Sequence, residues 1–272
     1  MVRIAVAGAA GRMGRSLVEA FSINTKDSAV TVATVLGEDP SLGMDSGILA
    51  MGMANGILTV SDISGCIDDF DVLVDFTSPS ATTEHVVLCQ KHRKALVIGT
   101  TGLSDDQLKL VSEAGRQIPI VISPNMSIGM NLCFGLVEAA AKAVGDEYDI
   151  EIFEAHHRNK KDSPSGTALK MGQIIAETVG RNLEEVSVFG RRGTSDDRDL
   201  RTIGFSTVRA GDVVGDHTVT FAGQGERIEI THKASNRMTF AGGAVKAANW
   251  IFGKPAGTYS MRDVLELENP DL

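Results

Sequence analysis

Residues 2–14 read VRIAVAGAAGRMG, a short apolar run followed by Gly8, Gly11 and Gly14. The run Val2–Ala7 predicts a buried strand, and the residues after it predict a helix. Gly8 allows the tight turn out of the strand, Gly11 allows a pyrophosphate to approach the backbone, and Gly14 allows the helix to pack closely on the strand. Since a helix start also favours an anion, we predict a dinucleotide-binding loop.

The spacing of these glycines leaves a second interpretation open. Their pattern is G-x-x-G-x-x-G rather than G-x-G-x-x-G, so it also fits a glycine-rich turn that binds no ligand. The position of the loop, after the first strand and before a helix predicted to start near Met13, favours the dinucleotide. The predicted cofactor contacts in this loop are Gly8, Ala9, Ala10, Gly11, Arg12 and Met13.

The end of the predicted second strand, Val30–Leu36, bears on the choice of cofactor. A dinucleotide-binding fold that uses NADH usually has an acid there for the ribose hydroxyls. Gly37 occupies the expected position and Glu38 follows it, so Glu38 is our candidate, with an exposed loop acid as the alternative. Arg12 is suited to a 2′-phosphate. NADPH and NADH both remain open.

Two later loops are also predicted to contact the cofactor. Each follows a short apolar strand candidate, Ala95–Ile98 or Ile118–Ile122. Ligands of open α/β sheets bind beyond the carboxyl ends of the strands, where both loops would lie, although a plain turn is the alternative. The predicted contacts are Gly99, Thr100, Thr101, Ser123, Pro124, Asn125 and Met126.

The order of strand-like and helix-like segments predicts two domains. Up to residue 127 they alternate, which is typical of an α/β domain with a Rossmann-type parallel sheet. Residues 128–240 contain an amphipathic helix and several strands with few helices between them, which predicts an α+β domain with an open mixed sheet. The tail, residues 241–272, begins with a helical pattern and is expected to pack back onto the first domain.

The composition excludes several classes of protein. The 272 residues carry a formal net charge of -9, which disfavours a nucleic-acid binder because that function needs a basic surface. The three cysteines form no CxxC pair, so we predict neither a disulfide framework nor a metal site. We find no run of 18 apolar residues and no signal-peptide pattern, and therefore expect a cytoplasmic protein without a membrane partner.

Residues 154–167, EAHHRNKKDSPSGT, hold the densest group of chemically active side chains. A histidine titrates near neutral pH and suits proton transfer, and a lysine supplies a fixed charge or a second proton donor. The hydroxyls and amides of the helix start at Ser165–Thr167, beside these cations, predict a pocket for a carboxylate. The alternative is a charged surface loop with a helix cap at Ser165. A metal site at His156 and His157 is disfavoured, because neighbours on a strand point to opposite faces.

The chain resembles the dihydrodipicolinate reductase (4-hydroxy-tetrahydrodipicolinate reductase) family over essentially its whole length. The resemblance is carried by VAGAAGRMGR near the N-terminus, IGTTG at 98–102, EAHHRNKKDSPSGTAL at 154–169 and THKASNRMTFAGGAVKAA at 231–248. It implies reduction of 4-hydroxy-tetrahydrodipicolinate, a small cyclic dicarboxylate, to tetrahydrodipicolinate in diaminopimelate and lysine biosynthesis. NADH or NADPH would be the hydride donor, and a mixed sheet in the C-terminal domain would build a homotetramer.

The resemblance also assigns roles to residues. The family's proton-transfer histidine falls on His156 and its catalytic lysine on Lys160. Its substrate-carboxylate contacts fall on His157, Gly166 and Thr167, with Ser165 adjacent. Two positions depart from the family pattern. Asn159 replaces a common histidine that has no essential role, and Gly37 replaces the ribose-binding acid, which weakens the case for strong NADH preference.

Two other functions remain to be separated from the reductase. An amino-acid dehydrogenase of the aspartate type would share the cofactor loop but would oxidise an amine with NAD(P)+. A non-catalytic NADP-sensing protein would keep the glycines but would not need the cluster His156–Lys160.

Overall fold

The computed structural model describes residues 1–24, 26–194 and 196–267. The strands of these residues are β1 (Val2–Ala7), β2 (Ser28–Thr34), β3 (Thr59–Val60), β4 (Val72–Asp75), β5 (Ala95–Ile98), β6 (Pro119–Ile122), β7 (Asp149–His156), β8 (Ser187–Phe189), β9 (Ile203–Arg209), β10 (Gly215–Ala222), β11 (Arg227–Ala234) and β12 (Gly257–Tyr259). The helices are α1 (Arg12–Ile23), α2 (Ser46–Met51), α3 (Pro79–His92), α4 (Asp105–Gly115), α5 (Ile128–Val144), α6 (Gly166–Thr178), α7 (Leu183–Val186), α8 (Met238–Ile251) and α9 (Met261–Val264), with a 3-10 helix at Ser64–Asp69.

The described residues form two units. The first unit contains Met1–Ile128 and Arg237–Glu266, and the second contains Gly129–Asn236 and residue 267. The tail therefore contributes α8, β12 and α9 to the first unit. Its strand β12 pairs in parallel with β6, with Thr258 opposite Ile120.

The first unit contains the parallel sheet predicted from the alternation of strands and helices. Its strand order is β12-β6-β5-β4-β1-β2-β3, and the described pairs are all parallel. Side chains of β1 pack alternately on the two faces. Ile4 and Val6 join the core with α1 and α8, whereas Ala5 and Ala7 join the core with α3 and α4. Because both faces are covered, the central strands are almost wholly apolar, and the prediction of a Rossmann-type sheet is confirmed.

The second unit contains the predicted open mixed sheet, in the order β11-β10-β7-β9-β8. Strand β10 is antiparallel to both β11 and β7, whereas β7 is parallel to β9 and β9 is parallel to β8. Alternate residues such as Ile150, Ile152 and Val219 face a core that includes residues of α5 and α6. Because side chains alternate along a strand, Glu154 and His156 lie on this same helix-covered face.

Some element boundaries differ from the prediction, for local reasons. Strand β2 ends at Thr34 rather than at Leu36, which is 79% exposed because the chain leaves the sheet there. The short helix α2 was not predicted, because six residues show too little periodicity. Its N-cap is Asp45, whose carboxylate accepts four N–H groups, including those of Gly47 and Asn55.

We expect Gly243→Ala to destabilise the first unit and Gly242→Ala to leave it unchanged or more stable. A Cβ at position 243 would lie 1.7 Å from the carbonyl oxygen of Met126, whereas position 242 has nothing within 4 Å. Overpacking of this kind costs about 1–3 kcal/mol, and an open helical alanine gains up to about 1 kcal/mol over glycine. Urea unfolding would measure both. Equal shifts for the two neighbours would contradict the packing argument.

Candidate active site

The loop between β1 and α1 has the geometry of a phosphate-binding turn. Gly8 has φ +66, a conformation that glycine adopts without strain, and the N–H of Gly11 donates to its carbonyl at 2.9 Å. A Cβ at Gly14 would lie 2.1 Å from the oxygen of Gly8 and 2.7 Å from the Cα of Ala9, so only glycine allows this approach of helix to strand. The turn thus places the start of α1 directly after β1, as a dinucleotide phosphate requires.

A cavity of about 690 Å³ opens beside this loop, within the first unit. Its walls come from the loops that follow β1, β2, β3 and β4, all at the carboxyl edge of the sheet, and from helix α3. A volume of this size is typical of a small-molecule or cofactor site. The cavity is lined by Gly8, Ala10, Gly11, Thr34, Val35, Leu36, Asp39, Ser61, Asp62, Ile63, Ser64, Phe76, Thr77, Ser78, Ala81, Glu84, His85 and Leu88.

Just beyond β2, the acid that lines the cavity is Asp39 rather than its predicted neighbour Glu38, which is exposed. The N–H of Ser41 donates to Asp39 Oδ1 at 2.8 Å, and this bond lowers the pKa of the carboxyl group. Of the predicted loop contacts, Gly8, Ala10 and Gly11 line the cavity. Ala9 is buried. Arg12 and Met13 form the first turn of α1.

Thr100, predicted as a cofactor contact, points its hydroxyl into a buried network around Asp75. Asp75 accepts hydrogen bonds from the N–H and hydroxyl of Thr77, at 2.9 and 2.6 Å, and pairs with His85 Nδ1 at 2.9 Å. Thr100 Oγ1 accepts the hydroxyl of Thr82 at 2.9 Å. Burial opposes ionisation of Asp75, but His85 and the hydroxyls lower the pKa of its carboxyl group overall. Sequence reasoning missed the Asp75–His85 pair, which is ten residues apart.

The other predicted cofactor loops are shaped by contacts within the first unit. A Cβ at Gly99 would lie 2.2 Å from the ring of Phe76, while Thr101 is exposed. The hydroxyl of Ser123 donates to the carbonyl of Asn125 at 2.8 Å. Pro124 is exposed and Met126 is buried.

In the second unit, a buried cluster of polar residues surrounds Glu154 at the end of β7. Glu154 and His156 lie on the same face of the strand, and His156 Nδ1 bonds to the carboxylate at 2.5 Å. Arg209, opposite His156 on β9, forms two bonds of 2.8 Å with the same carboxylate. The N–H of Ser165, the N-cap of α6, donates to it at 3.1 Å.

The electrostatics of this cluster keep Glu154 charged and favour a neutral His156. Burial opposes the charge of Glu154, but Arg209 and His156 outweigh it and lower the pKa of the carboxyl group. For His156, burial is the largest effect and lowers the pKa of the imidazole, helped by the charges of Lys160 and Arg209 and opposed by Glu154. A neutral imidazole with Nδ1 bonded to a carboxylate has its basic nitrogen at Nε2.

The other predicted substrate contacts lie close to His156 along the chain and at the start of α6. The backbone turns after His157, whose carbonyl accepts the N–H of Lys160 at 3.1 Å, and the ammonium of Lys160 pairs with Asp162 at 2.8 Å. His157 Nδ1 is buried and has no hydrogen-bond partner among the described residues. A Cβ at Gly166, the first residue of α6, would have nothing within 4 Å, and Thr167 follows it. These groups can accept a small anion.

Two residues of the cluster were missed by sequence reasoning. Arg209 and His217 lie more than 50 positions after His156, and only the register of β9 and β10 brings them close. His217 Nε2 lies 3.0 Å from the hydroxyl of Ser165, and its ring packs edge-on to His156 with the centroids 5.0 Å apart. No spacing rule identifies such partners, because strand register is not written in the local sequence.

No group of three or more His, Cys, Asp or Glu side chains in residues 1–24, 26–194 and 196–267 is arranged to hold a metal ion. In the same ranges no helix has the length and apolar composition needed to cross a membrane.

Comparison with known proteins gives matches over the whole described chain. Residues 2–126 match the family model "Dihydrodipicolinate reductase, N-terminus", and residues 129–265 match "Dihydrodipicolinate reductase, C-terminus". The 4-hydroxy-tetrahydrodipicolinate reductase of Hahella chejuensis (strain KCTC 2396) is 54% identical over 268 residues, covering 98% of this chain and 100% of that protein.

Solved structures support the fold. A dipicolinate-bound dihydrodipicolinate reductase from Paenisporosarcina sp. TG-14 has a TM-score of 0.77 at 24% identity, covering 96% of this chain and 97% of that one. The diaminopimelate (DAP) dehydrogenase of C. glutamicum, solved with DAP, has a TM-score of 0.54 at 16% identity, covering 99% of this chain and 97% of that one.

We expect His217 to stay neutral well into the acid range. Burial, followed by the charge of His156, lowers the pKa of its imidazole to about 3. An unfolded histidine titrates near pH 6.5, so below that pH protons favour the unfolded chain and the free energy of unfolding falls. NMR of the His217 ring should show no protonation above about pH 4. In His217→Gln the free energy of unfolding should fall less steeply as the pH is lowered. A His217 signal that titrates near pH 6.5 would contradict this.

Proposed function

The chain belongs to the dihydrodipicolinate reductase family, and we propose that it reduces 4-hydroxy-tetrahydrodipicolinate to tetrahydrodipicolinate with NADH or NADPH as the hydride donor. The observation that carries this function is the family match over both halves of the chain, with 54% identity to a named reductase. The glycine turn with its adjacent cavity and the Glu154–His156 cluster support the proposal, because such a reaction needs a dinucleotide site and a proton-transfer site.

The first unit is proposed to bind the dinucleotide. When bound, the nicotinamide supplies the hydride. The start of α1 binds the phosphates through backbone N–H groups, since glycines keep side chains away from the turn. The remaining contacts are proposed to be Ala9, Arg12, Met13, Glu38, Gly99, Thr100, Thr101, Ser123, Pro124, Asn125 and Met126.

The second unit is proposed to bind the dicarboxylate and to move the proton. Loss of the 4-hydroxyl of the substrate as water gives a conjugated double bond; hydride adds to one end of that bond, and a proton is required at the other end. His156 is proposed to handle that proton at Nε2, with the ammonium of Lys160 assisting and stabilising negative charge. His157, Ser165, Gly166 and Thr167 are proposed to hold a carboxylate at the positive end of α6. We also propose that this unit forms a homotetramer in the cytoplasm.

We expect His156→Ala and Lys160→Ala each to lower kcat by about 10²–10⁴-fold, the usual size of general acid–base catalysis, without weakening nucleotide binding. Lys161→Ala is the matched control, because Lys161 is an exposed neighbour with the same charge. The assay follows NADH or NADPH absorbance with freshly condensed pyruvate and aspartate semialdehyde, and pyridine-2,6-dicarboxylate should inhibit. Nucleotide affinity is measured separately by cofactor fluorescence.

Two results of this experiment would argue against the proposal. If His156→Ala weakened nucleotide binding as much as turnover, His156 would belong to the cofactor site. If the unaltered protein instead oxidised an amino acid with NAD+, the amino-acid dehydrogenase would be the better reading.

The charges around the cavity favour NADH over NADPH. Asp39, Asp62 and Glu84 line it, and none of its described lining residues is a lysine or arginine. A 2′-phosphate would be repelled by these carboxylates, whereas the ribose hydroxyls of NADH can donate to one of them. The carboxylate of Asp39, just beyond β2, is best placed for that contact.

We therefore expect NADH to bind more tightly than NADPH, and Asp39→Asn to reduce this preference by about tenfold, the effect of one charged hydrogen bond. The asparagine keeps an oxygen for the N–H of Ser41. Glu38→Gln changes the same charge on an exposed neighbour and should change the preference little. Fluorescence titration gives both dissociation constants. An equal effect of the two substitutions would assign the preference to net charge alone.

A further inference from the structure

Glu154 is a buried ionised group to which the proposed reaction assigns no role. Its side chain is 1% exposed, and burying a charge is costly unless hydrogen bonds replace the lost water. Five donors do so. Oε1 accepts from Ser165 N, Thr207 Oγ1 and Arg209 Nη2 at 3.1, 3.2 and 2.8 Å, and Oε2 accepts from His156 Nδ1 and Arg209 Nη1 at 2.5 and 2.8 Å.

The bond to Glu154 decides which nitrogen of His156 faces the reaction. An ionised carboxylate has only acceptors, so Nδ1 must carry the proton in this bond. The lone pair of the neutral ring is therefore on Nε2. Across the sheet from His156 is Gly215, where a Cβ would lie 3.0 Å from Nε2. Glycine at that position keeps the space beside Nε2 open.

Arg209 connects the same carboxylate to the loop that carries Lys160. One of its nitrogens, Nη2, donates to the carbonyl of Asp162 at 2.6 Å, and the carboxylate of Asp162 pairs with Lys160. The N–H of Ser165 links Glu154 to the start of α6. Glu154 and Arg209 thus bond to His156, to Ser165 at the start of α6, and to Asp162, the ion-pair partner of Lys160.

We propose that Glu154, held by Arg209, is the positioning residue of this site: it fixes His156 as the Nδ1-protonated tautomer, so that Nε2 takes a proton from water and delivers it to the substrate. The inference rests on the proposed function, because it gives His156 the proton. A carboxylate behind the ring also stabilises the imidazolium that forms when Nε2 gains a proton.

The test compares Glu154→Gln with Glu151→Gln, using ¹⁵N NMR of the histidine rings and the pH profile of turnover. Glu151 is the matched control. It lies on the same strand and is also bound by two arginines, Arg191 and Arg198, but it is on the opposite face of β7. Both variants lose one charged acceptor, so both are expected to lose stability.

Only Glu154→Gln should change the chemistry of His156. We expect a mixture of His156 tautomers in the NMR spectrum. We also expect kcat to fall by about 10²-fold, with KM and nucleotide affinity little changed. The limb of the pH profile that reports the imidazole should shift by about one unit to lower pH, because the imidazolium loses the carboxylate that stabilises it. Unchanged tautomer and pH profile in Glu154→Gln, or equal changes in Glu151→Gln, would overturn the proposal.

Two features keep the test decisive. If Glu154→Gln does not fold, Glu154→Asp retains the charge beside Arg209 but withdraws the carboxylate from Nδ1, and the same changes are expected at smaller size. The NMR spectrum needs no substrate. A failure of the proposed function would instead appear as the absence of substrate-dependent NADH or NADPH oxidation by the unaltered protein.

Discussion

A carboxylate removed from water has to be neutralised where it lies, and the second unit is organised around this requirement at Glu154. Its partners come from β7, from β9 and from the start of α6, so these elements cannot move independently without exposing an unpaired charge. The same bonds set the direction of the His156 ring. The stability of the cluster and the orientation of the His156 ring therefore have one physical cause.

The two units bring functional groups together by different means. In the first unit, parallel strands end at a common edge, so loops far apart in sequence line one cavity. In the second unit, residues alternate between faces, and cross-strand register places Thr207, Glu154, His217 and His232 in one row on the helix-covered face. Loops along the edge of a sheet can line a site for a long ligand, whereas a row of paired residues on a rigid sheet holds a few side chains in fixed positions.

An acidic chain that binds anionic ligands needs groups at the binding site that offset the negative electrostatic potential of the rest of the chain. The first unit offers backbone N–H groups at the start of α1, where glycine excludes side chains, rather than a lining of basic residues. The second unit instead concentrates cations: Lys160 and Arg209 both act on His156, yet each is paired with an acid. Each site thus attracts an anion with a different kind of group, backbone N–H groups in the first unit and cationic side chains in the second.

The sequence by itself determined the features that depend on near neighbours. Gly8, Gly11 and Gly14 predict the turn, the alternation of strands and helices predicts the parallel sheet, and the cluster at His156–Lys160 predicts a reactive segment. Only the tertiary structure showed that Asp39 rather than Glu38 lines the cavity and that Asp75 pairs with His85. It also brought Arg209 and His217 to Glu154 and Ser165. The contacts of Arg209 and His217 depend on register between strands, which is set by the packing of the whole sheet and which no local pattern encodes. Those of Asp39 and Asp75 depend on where a loop and helix α3 lie beside the first sheet.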